Sequence, residues 1–77
     1  LHNVYEGGRL TFNHFDFYRV DDPEEVEMLG LCEYFSTPDG VAAIEWSANV
    51  KNLLPTKCIT VNIAKLSDTE RLITVTD

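Results

Sequence analysis

Two acidic side chains stand at the ends of predicted β-strands, where they could act together on a metal ion. Asp16 ends a segment of alternating residues, and Glu45 directly follows the apolar run Val41 to Ile44. The carboxyl ends of strands are where α/β proteins bind ligands, and two carboxylates at one edge can hold magnesium directly or through water. An acid at a strand end is also often only solvated, so the pattern alone leaves both interpretations open.

Three other residues near these acids have side chains suited to recognition. Trp46, the only tryptophan, can stack on a base or a partner, or simply cover the sheet edge. His14 suits a general base or a ligand, although a histidine on a strand is more often a hydrogen-bonded structural residue. Arg19 can meet a phosphate or a partner, and an ion pair with Asp21 or Asp22 is the simpler interpretation.

A β-hairpin is predicted to carry the first of these acids. Leu1 to Tyr5 and Arg9 to Phe17 flank a Glu-Gly-Gly turn, and both arms are rich in strand-forming residues. Because successive strand residues point to opposite faces, His14 and Asp16 should emerge together on one face.

A short helix is predicted after the hairpin. Asp22 can cap the free N–H groups of its first turn, and Pro23 is tolerated at the first helical position. The spacing of Met28, Leu31 and Phe35 predicts a buried stripe, while Gly30 favours an early end and a second short turn.

The second half of the chain has the pattern of further strands. The run from Val41 to Ile44 predicts a central strand buried on both faces. The alternation at 58–63 and again at 72–76 predicts a C-terminal strand pair. Together these patterns indicate one α/β domain over residues 1–77.

The composition limits the possible partners. Six Lys or Arg against 13 Asp or Glu give a net charge of −7, and the basic residues are scattered, so direct nucleic-acid binding is not expected. Five acids are clustered at the predicted helix start, where they form either a solvated surface or a docking surface for a basic partner. They are Asp21, Asp22, Glu24, Glu25 and Glu27.

The cysteines and the apolar runs predict a reduced, cytoplasmic protein. Cys32 and Cys58 form no CxxC pair and have no companion His pair, so they are interpreted as reduced core residues. The longest apolar run, Val41 to Ile44, is far shorter than the roughly 20 residues of a membrane span, and no signal peptide with a basic start is present.

Several of these motifs, in this order, resemble the TsaE family. Members of that family carry an HxDLYR-type motif, a DPEE-like helix start and an EW pair. The resemblance covers roughly residues 1–63. Its motifs are His14-Phe15-Asp16-Phe17-Tyr18-Arg19, Asp22-Pro23-Glu24-Glu25, Gly30, Ile44-Glu45-Trp46 and Leu54-Pro55.

The resemblance implies a P-loop-type α/β fold that binds ATP and magnesium, hydrolyses ATP slowly and associates with the TsaB–TsaD pair in threonylcarbamoyl transfer to tRNA. By matching motif, Asp16 would be the catalytic acid near the attacking water or the magnesium ion. Glu45 would be the acid at the metal and the γ-phosphate, and Trp46 would lie beside the nucleotide.

The sequence departs from the family pattern in three places. Phe17 stands where leucine is commoner, and Ser47-Ala48 lacks an acid that many members carry after the tryptophan. No GxxxxGK[ST] loop is present, so backbone N–H groups that cradle phosphates are missing. We therefore expect a C-terminal part of the ATPase that does not hydrolyse ATP alone and that self-associates through exposed strand edges.

Two other functions fit the residues without the resemblance. The first is a binding module without nucleotide chemistry, which would use the acidic cluster and Trp46 to dock a protein. The second is a stand-alone hydrolase with Asp16 and Glu45 as an acid/base pair, which would need a polar cleft.

Overall fold

The computed structural model describes all residues from 1 to 77 and contains two small sheets with short helical segments between them. The α/β class and the C-terminal strand pair predicted from the sequence are confirmed. The strands are β1 (His2–Tyr5), β2 (Thr11–Asp16), β3 (Gly40–Glu45), β4 (Thr60–Lys65) and β5 (Arg71–Thr76). The helical segments are α1 (Pro23–Met28) and two 3₁₀ segments, Leu31–Phe35 and Ser47–Leu53. No helical segment combines the length and apolar character of a membrane span.

The first sheet has the order β1-β2-β3 and is mixed. β1 and β2 pair antiparallel, which confirms the predicted hairpin, and β3 joins β2 in parallel. The prediction that the Val41 to Ile44 run is a central strand buried on both faces is wrong, since β2 is central and Val41 is 46% exposed. A continuous apolar run predicts a strand, but it does not specify which neighbours that strand has.

The separate β4–β5 hairpin has one strongly apolar face. Register pairs Val61 with Val75 and Ile63 with Ile73, so these four side chains lie on the same face of the pair. All four are more than half exposed. The hairpin therefore gains its order from ladder hydrogen bonds and cross-strand pairs, and contributes nothing to the main core.

Helix α1 begins as its sequence predicts. The Asp22 carboxylate accepts a hydrogen bond from the Glu24 N–H at 3.0 Å, and Pro23 occupies the first turn. Gly30 ends the segment with a φ of 71°, a left-handed conformation that glycine adopts without strain. The predicted buried stripe is wrong at Met28, which is 86% exposed, because the six-residue helix turns Val26 toward the core instead.

Removal of the cap should destabilise the protein measurably. Asp22→Ala leaves the Glu24 N–H without its protein acceptor, so we expect a loss of about 1 kcal/mol in the free energy of unfolding. Urea denaturation followed by circular dichroism measures this loss. Asp21→Ala is the matched control, since the Asp21 carboxylate is exposed and caps nothing; equal losses in the two variants would contradict the capping role.

The core lies between the first sheet and the helical segments. Phe15 is its centre, with its ring stacked on His2 at 4.3 Å and edge-on to Phe35 at 5.0 Å. The buried polar residue Asn13 is satisfied, because its side-chain oxygen accepts from His2 Nε2 at 3.0 Å. The buried hydrophobic residues are Phe15, Phe17, Val20, Val26, Phe35 and Val50.

The two cysteines lie in different environments. Both are free thiols, but the interpretation as core residues is wrong for Cys58, which is exposed, whereas Cys32 is half-buried and packs against the core. Desolvation raises the pKa of Cys32, and the negative charge of Glu27 raises it further. A raised pKa lowers the fraction of reactive thiolate at neutral pH.

Alkylation should therefore distinguish the two thiols. We expect iodoacetamide at pH 7 to label Cys58 several-fold faster than Cys32, as measured by mass spectrometry on the single-cysteine variants Cys32→Ser and Cys58→Ser. Labelling of Cys32 should accelerate as the pH rises toward its raised pKa, since the thiolate is the nucleophile. Equal rates at pH 7 would contradict the described environments.

Candidate active site

The carboxyl ends of β2 and β3 place Asp16 and Glu45 side by side. The two residues are Cα partners in the parallel ladder, and such partners lie about 4.8 Å apart. The Phe17 N–H donates to the Glu45 carbonyl oxygen at 3.2 Å and so continues the pairing beyond the strand ends. Both side chains are exposed, so the two carboxylates share one solvent-facing edge of the sheet.

Glu45 is held by a histidine from the neighbouring strand. His14 Nε2 lies 2.8 Å from Glu45 Oε2. A carboxylate accepts hydrogen bonds, so Nε2 is the donor in this contact. The contact is a cross-strand diagonal, because the register partner of His14 is Ala43, two residues before Glu45. The second Glu45 oxygen, Oε1, makes no hydrogen bond within the protein.

Asp16 is fixed by the turn that follows β2. Its Oδ1 atom accepts from the Tyr18 N–H at 3.1 Å, the local bond by which aspartates stabilise turns. This bond orients the carboxylate and leaves Oδ2 without a partner in the protein. Each acid therefore keeps one carboxylate oxygen available at the sheet edge.

Trp46 has a backbone conformation that few non-glycine residues adopt. Its φ of 58° and ψ of 45° lie in the left-handed region, and strain of this kind is concentrated at functional sites. The indole packs against Tyr18 with ring centroids 4.7 Å apart and an interplanar angle of 57°. Both rings are about 60% exposed, so they form an accessible aromatic pair beside the two acids.

Tyr18 is the residue that sequence reasoning did not single out for this site. The available signal was its position two residues after Asp16, which brings its N–H to the Asp16 carboxylate and its ring to Trp46. Arg19, in contrast, forms no ion pair, although a pair with Asp21 or Asp22 was the simpler interpretation. The one ion pair with a lysine or arginine is Lys65–Asp68, and His14–Glu45 is a hydrogen bond between an imidazole and a carboxylate.

The two carboxylates at the sheet edge are ligands of the kind that magnesium takes, but they are too few for a metal site that is ligated only by protein side chains. No group of three or more His, Cys, Asp or Glu side chains converges on one point, as a structural zinc site would require. Magnesium instead takes one or two carboxylates and completes its shell with water and substrate phosphates. The free oxygens of Asp16 and Glu45 match that requirement.

An apolar cleft lies beside β3 and is not lined by either of these acids. It has a volume of about 600 Å³ and runs between β3 and the start of β4. Its lining is mostly apolar, with Val41, Ile44, Leu54, Ile59 and Val61 among its residues, and it includes neither Asp16 nor Glu45. A stand-alone hydrolase with Asp16 and Glu45 as its acid/base pair would therefore not have this cleft as its substrate site.

The family model and the similar proteins that match this chain carry the same family name. The family model described as Threonylcarbamoyl adenosine biosynthesis protein TsaE matches residues 1–73. The similar proteins include three bacterial proteins named tRNA threonylcarbamoyladenosine biosynthesis protein TsaE. The Rickettsia bellii protein is 42% identical over 77 residues, which are 100% of this chain and 52% of that protein. The Haemophilus influenzae protein is 44% identical over 65 residues, which are 84% of this chain and 40% of that protein. The Bacillus subtilis protein is 40% identical over 72 residues, which are 94% of this chain and 44% of that protein. The chain thus spans about half the length of these curated relatives.

Proposed function

Because the chain belongs to the TsaE family, we propose that it supplies the acidic half of an ATP-hydrolysing site in a protein of tRNA threonylcarbamoyladenosine biosynthesis. The observation that carries this proposal is the placement of Asp16 and Glu45. They are neighbours at the carboxyl ends of two parallel strands, and each has one carboxylate oxygen free of protein partners.

The two acids have distinct roles in this proposal. Glu45 would hold magnesium through its free oxygen. Asp16, oriented by the Tyr18 N–H, would hold the attacking water or a water of the magnesium shell and would accept its proton. Magnesium, when bound, neutralises charge on the phosphate oxygens. Trp46 lies beside the nucleotide, where the exposed faces of the Trp46–Tyr18 pair can contact the base.

The phosphate cradle of this site comes from outside the 77 residues. The sequence contains no GxxxxGK[ST] loop, and the chain spans about half the length of its relatives. In our proposal the remainder of a family-length protein provides the backbone N–H groups for the β- and γ-phosphates. The 77 residues alone provide the acids and one aromatic contact and do not turn over ATP.

Calorimetric titration with ATP and magnesium tests this proposal. A family-length protein carrying these 77 residues should bind Mg·ATP, and Glu45→Ala should weaken binding at least about 10-fold because an acidic metal ligand is lost. The matched control is Glu33→Ala, which removes an exposed acid from the 3₁₀ segment after α1. Equal affinities for Glu45→Ala and the unaltered protein would refute the proposed site.

The proposal also includes protein partners, the TsaB–TsaD pair. The net charge of −7 disfavours direct contact with tRNA, so contact with the RNA would run through these proteins. The acidic cluster at the start of α1 supports a protein contact, since all five of its acids are exposed and form a surface complementary to basic groups. A pull-down with TsaB and TsaD, repeated with Glu24→Lys and Glu25→Lys, tests this contact; undiminished capture would exclude the cluster as the docking surface.

A docking module without nucleotide chemistry is the second candidate function. The same exposed cluster favours it, because its acids lie at the start of α1 and not on the strands that carry Asp16 and Glu45. This function predicts partner capture that does not depend on ATP and that survives charge reversal at Asp16 and Glu45. Capture that requires ATP would exclude it.

A further inference from the structure

The hydrogen bond between His14 and Glu45 joins two neighbouring strands next to the candidate site. We propose that His14 is a positioning residue, which orients the Glu45 carboxylate so that its Oε1 atom faces the metal position. The inference rests on the proposed function of Glu45. Its geometric basis is the 2.8 Å distance from His14 Nε2 to Glu45 Oε2, which is within the short range of hydrogen bonds to a charged acceptor.

The imidazole ring of His14 lies beside an aromatic ring of its own strand. It is nearly parallel to the ring of Phe12, with centroids 6.3 Å apart and an interplanar angle of 9°. Phe12 in turn packs against Tyr5 from β1, at 5.8 Å. The three rings form a row on the outer face of the sheet that ends at the carboxylate. The neighbouring rings limit the orientations of the His14 side chain, and the hydrogen bond from its Nε2 atom in turn limits the orientations of the Glu45 carboxylate.

Glu45 needs such a partner because little else restricts it. It is the last residue of β3, its side chain is 58% exposed, and a glutamate has three rotatable side-chain bonds. The hydrogen bond occupies Oε2 and leaves Oε1 as the free oxygen. Partners of metal-binding carboxylates commonly act in this way, and their loss typically lowers metal affinity or activity about 10–100-fold.

The solvent exposure of His14 and Glu45 allows an experiment to distinguish a positioning role of His14 from a purely stabilising one. The His14 side chain is 30% exposed and that of Glu45 is 58% exposed, and polar contacts between side chains that remain in contact with solvent contribute little to stability. A variant lacking the imidazole should therefore fold normally. Its defect should appear in magnesium affinity and leave the melting temperature unchanged.

The experiment compares His14→Ala, His14→Gln and Glu45→Ala in a family-length protein carrying these 77 residues. Two quantities are measured: the Kd of Mg²⁺ by calorimetry in the presence of ADP, and the Mg²⁺ concentration for half-maximal ATP hydrolysis. We expect His14→Ala to raise both about 10–100-fold with an unchanged melting temperature. His14→Gln, whose amide N–H can donate to Oε2, should restore most of the affinity.

Lys65→Ala is the matched control, because it removes the Lys65–Asp68 ion pair at 3.6 Å, which is on the separate β4–β5 hairpin. It should change neither quantity. An unchanged Mg²⁺ affinity in His14→Ala, with affinity lost in Glu45→Ala, would overturn the positioning role alone. A failure of His14→Gln to restore affinity would also overturn it. Retention of Mg²⁺ binding by Glu45→Ala would instead overturn the proposed function itself.

Discussion

Replacement of Asp16 by asparagine is expected to lower kcat for ATP hydrolysis about 10²–10⁴-fold in a family-length protein carrying this chain, the range typical for loss of a proton-accepting group. The substitution is nearly isosteric. The amide oxygen introduced by Asp16→Asn can still accept from the Tyr18 N–H, as the Asp16 carboxylate does at 3.1 Å. The turn after β2 should therefore persist, and only the charge and the proton-accepting oxygen are lost. Steady-state hydrolysis assays measure kcat, and calorimetry should show that ATP binding changes much less than kcat.

Asp21→Asn provides the control for this experiment, because it removes one negative charge from the same loop at an exposed position outside the sheet edge. Its kcat should equal that of the unaltered protein. An Asp16→Asn protein with undiminished kcat would remove Asp16 from the reaction and leave Glu45 as the sole acid of the site. A parallel loss of ATP binding would assign Asp16 to the metal instead of to the attacking water.

Local signals explain which parts of the fold the sequence predicts. The Gly-Gly turn between two strand-forming arms identifies the first hairpin, and Asp22-Pro23 identifies the start of α1. Each depends on residues that are neighbours in the chain. The position of β3 depends on pairing across the long connection from β2, and no local residue specifies it. Within residues 1–77 the predicted central strand is an edge strand.

The same distinction holds for the candidate site. Alternation along β2 predicts that His14 and Asp16 share a face, because a two-residue period is local information. The hydrogen bond from His14 to Glu45 requires the parallel register of β2 and β3, which spacing alone does not supply. The Tyr18–Trp46 pair likewise depends on the left-handed backbone at Trp46, a conformation that residue type argues against.

The predicted buried stripe of the helix is wrong at Met28, because the helix is shorter than the stripe requires. A stripe of Met28, Leu31 and Phe35 assumes one continuous helix. The chain instead leaves the helical path at Gly30, so Phe35 lies in a separate 3₁₀ segment and reaches the core from there. Met28, in the last turn of α1, is then left at the surface.

The largest effect on stability is expected from Phe15→Ala. Phe15 is fully buried and contacts His2, Phe17 and Phe35, so its truncation leaves a cavity that the surrounding rings cannot fill. Substitutions of this kind typically lower the free energy of unfolding by about 3–5 kcal/mol. A domain of this size has a total stability of only about 4–12 kcal/mol. Phe15→Ala should thus lose a large share of its stability, and its melting temperature should fall well below that of the unaltered protein.

Phe12→Ala is the matched control for that prediction, since Phe12 is on the same strand but on the opposite face, and it is 39% exposed. Chemical denaturation with circular dichroism should show a much smaller loss for Phe12→Ala, because the side chain is already partly hydrated in the folded state. Similar losses for the two variants would mean that β2 does not divide a buried face from an exposed one. In that case the shared outer face of His14 and Asp16, on which the candidate site depends, would also be in question.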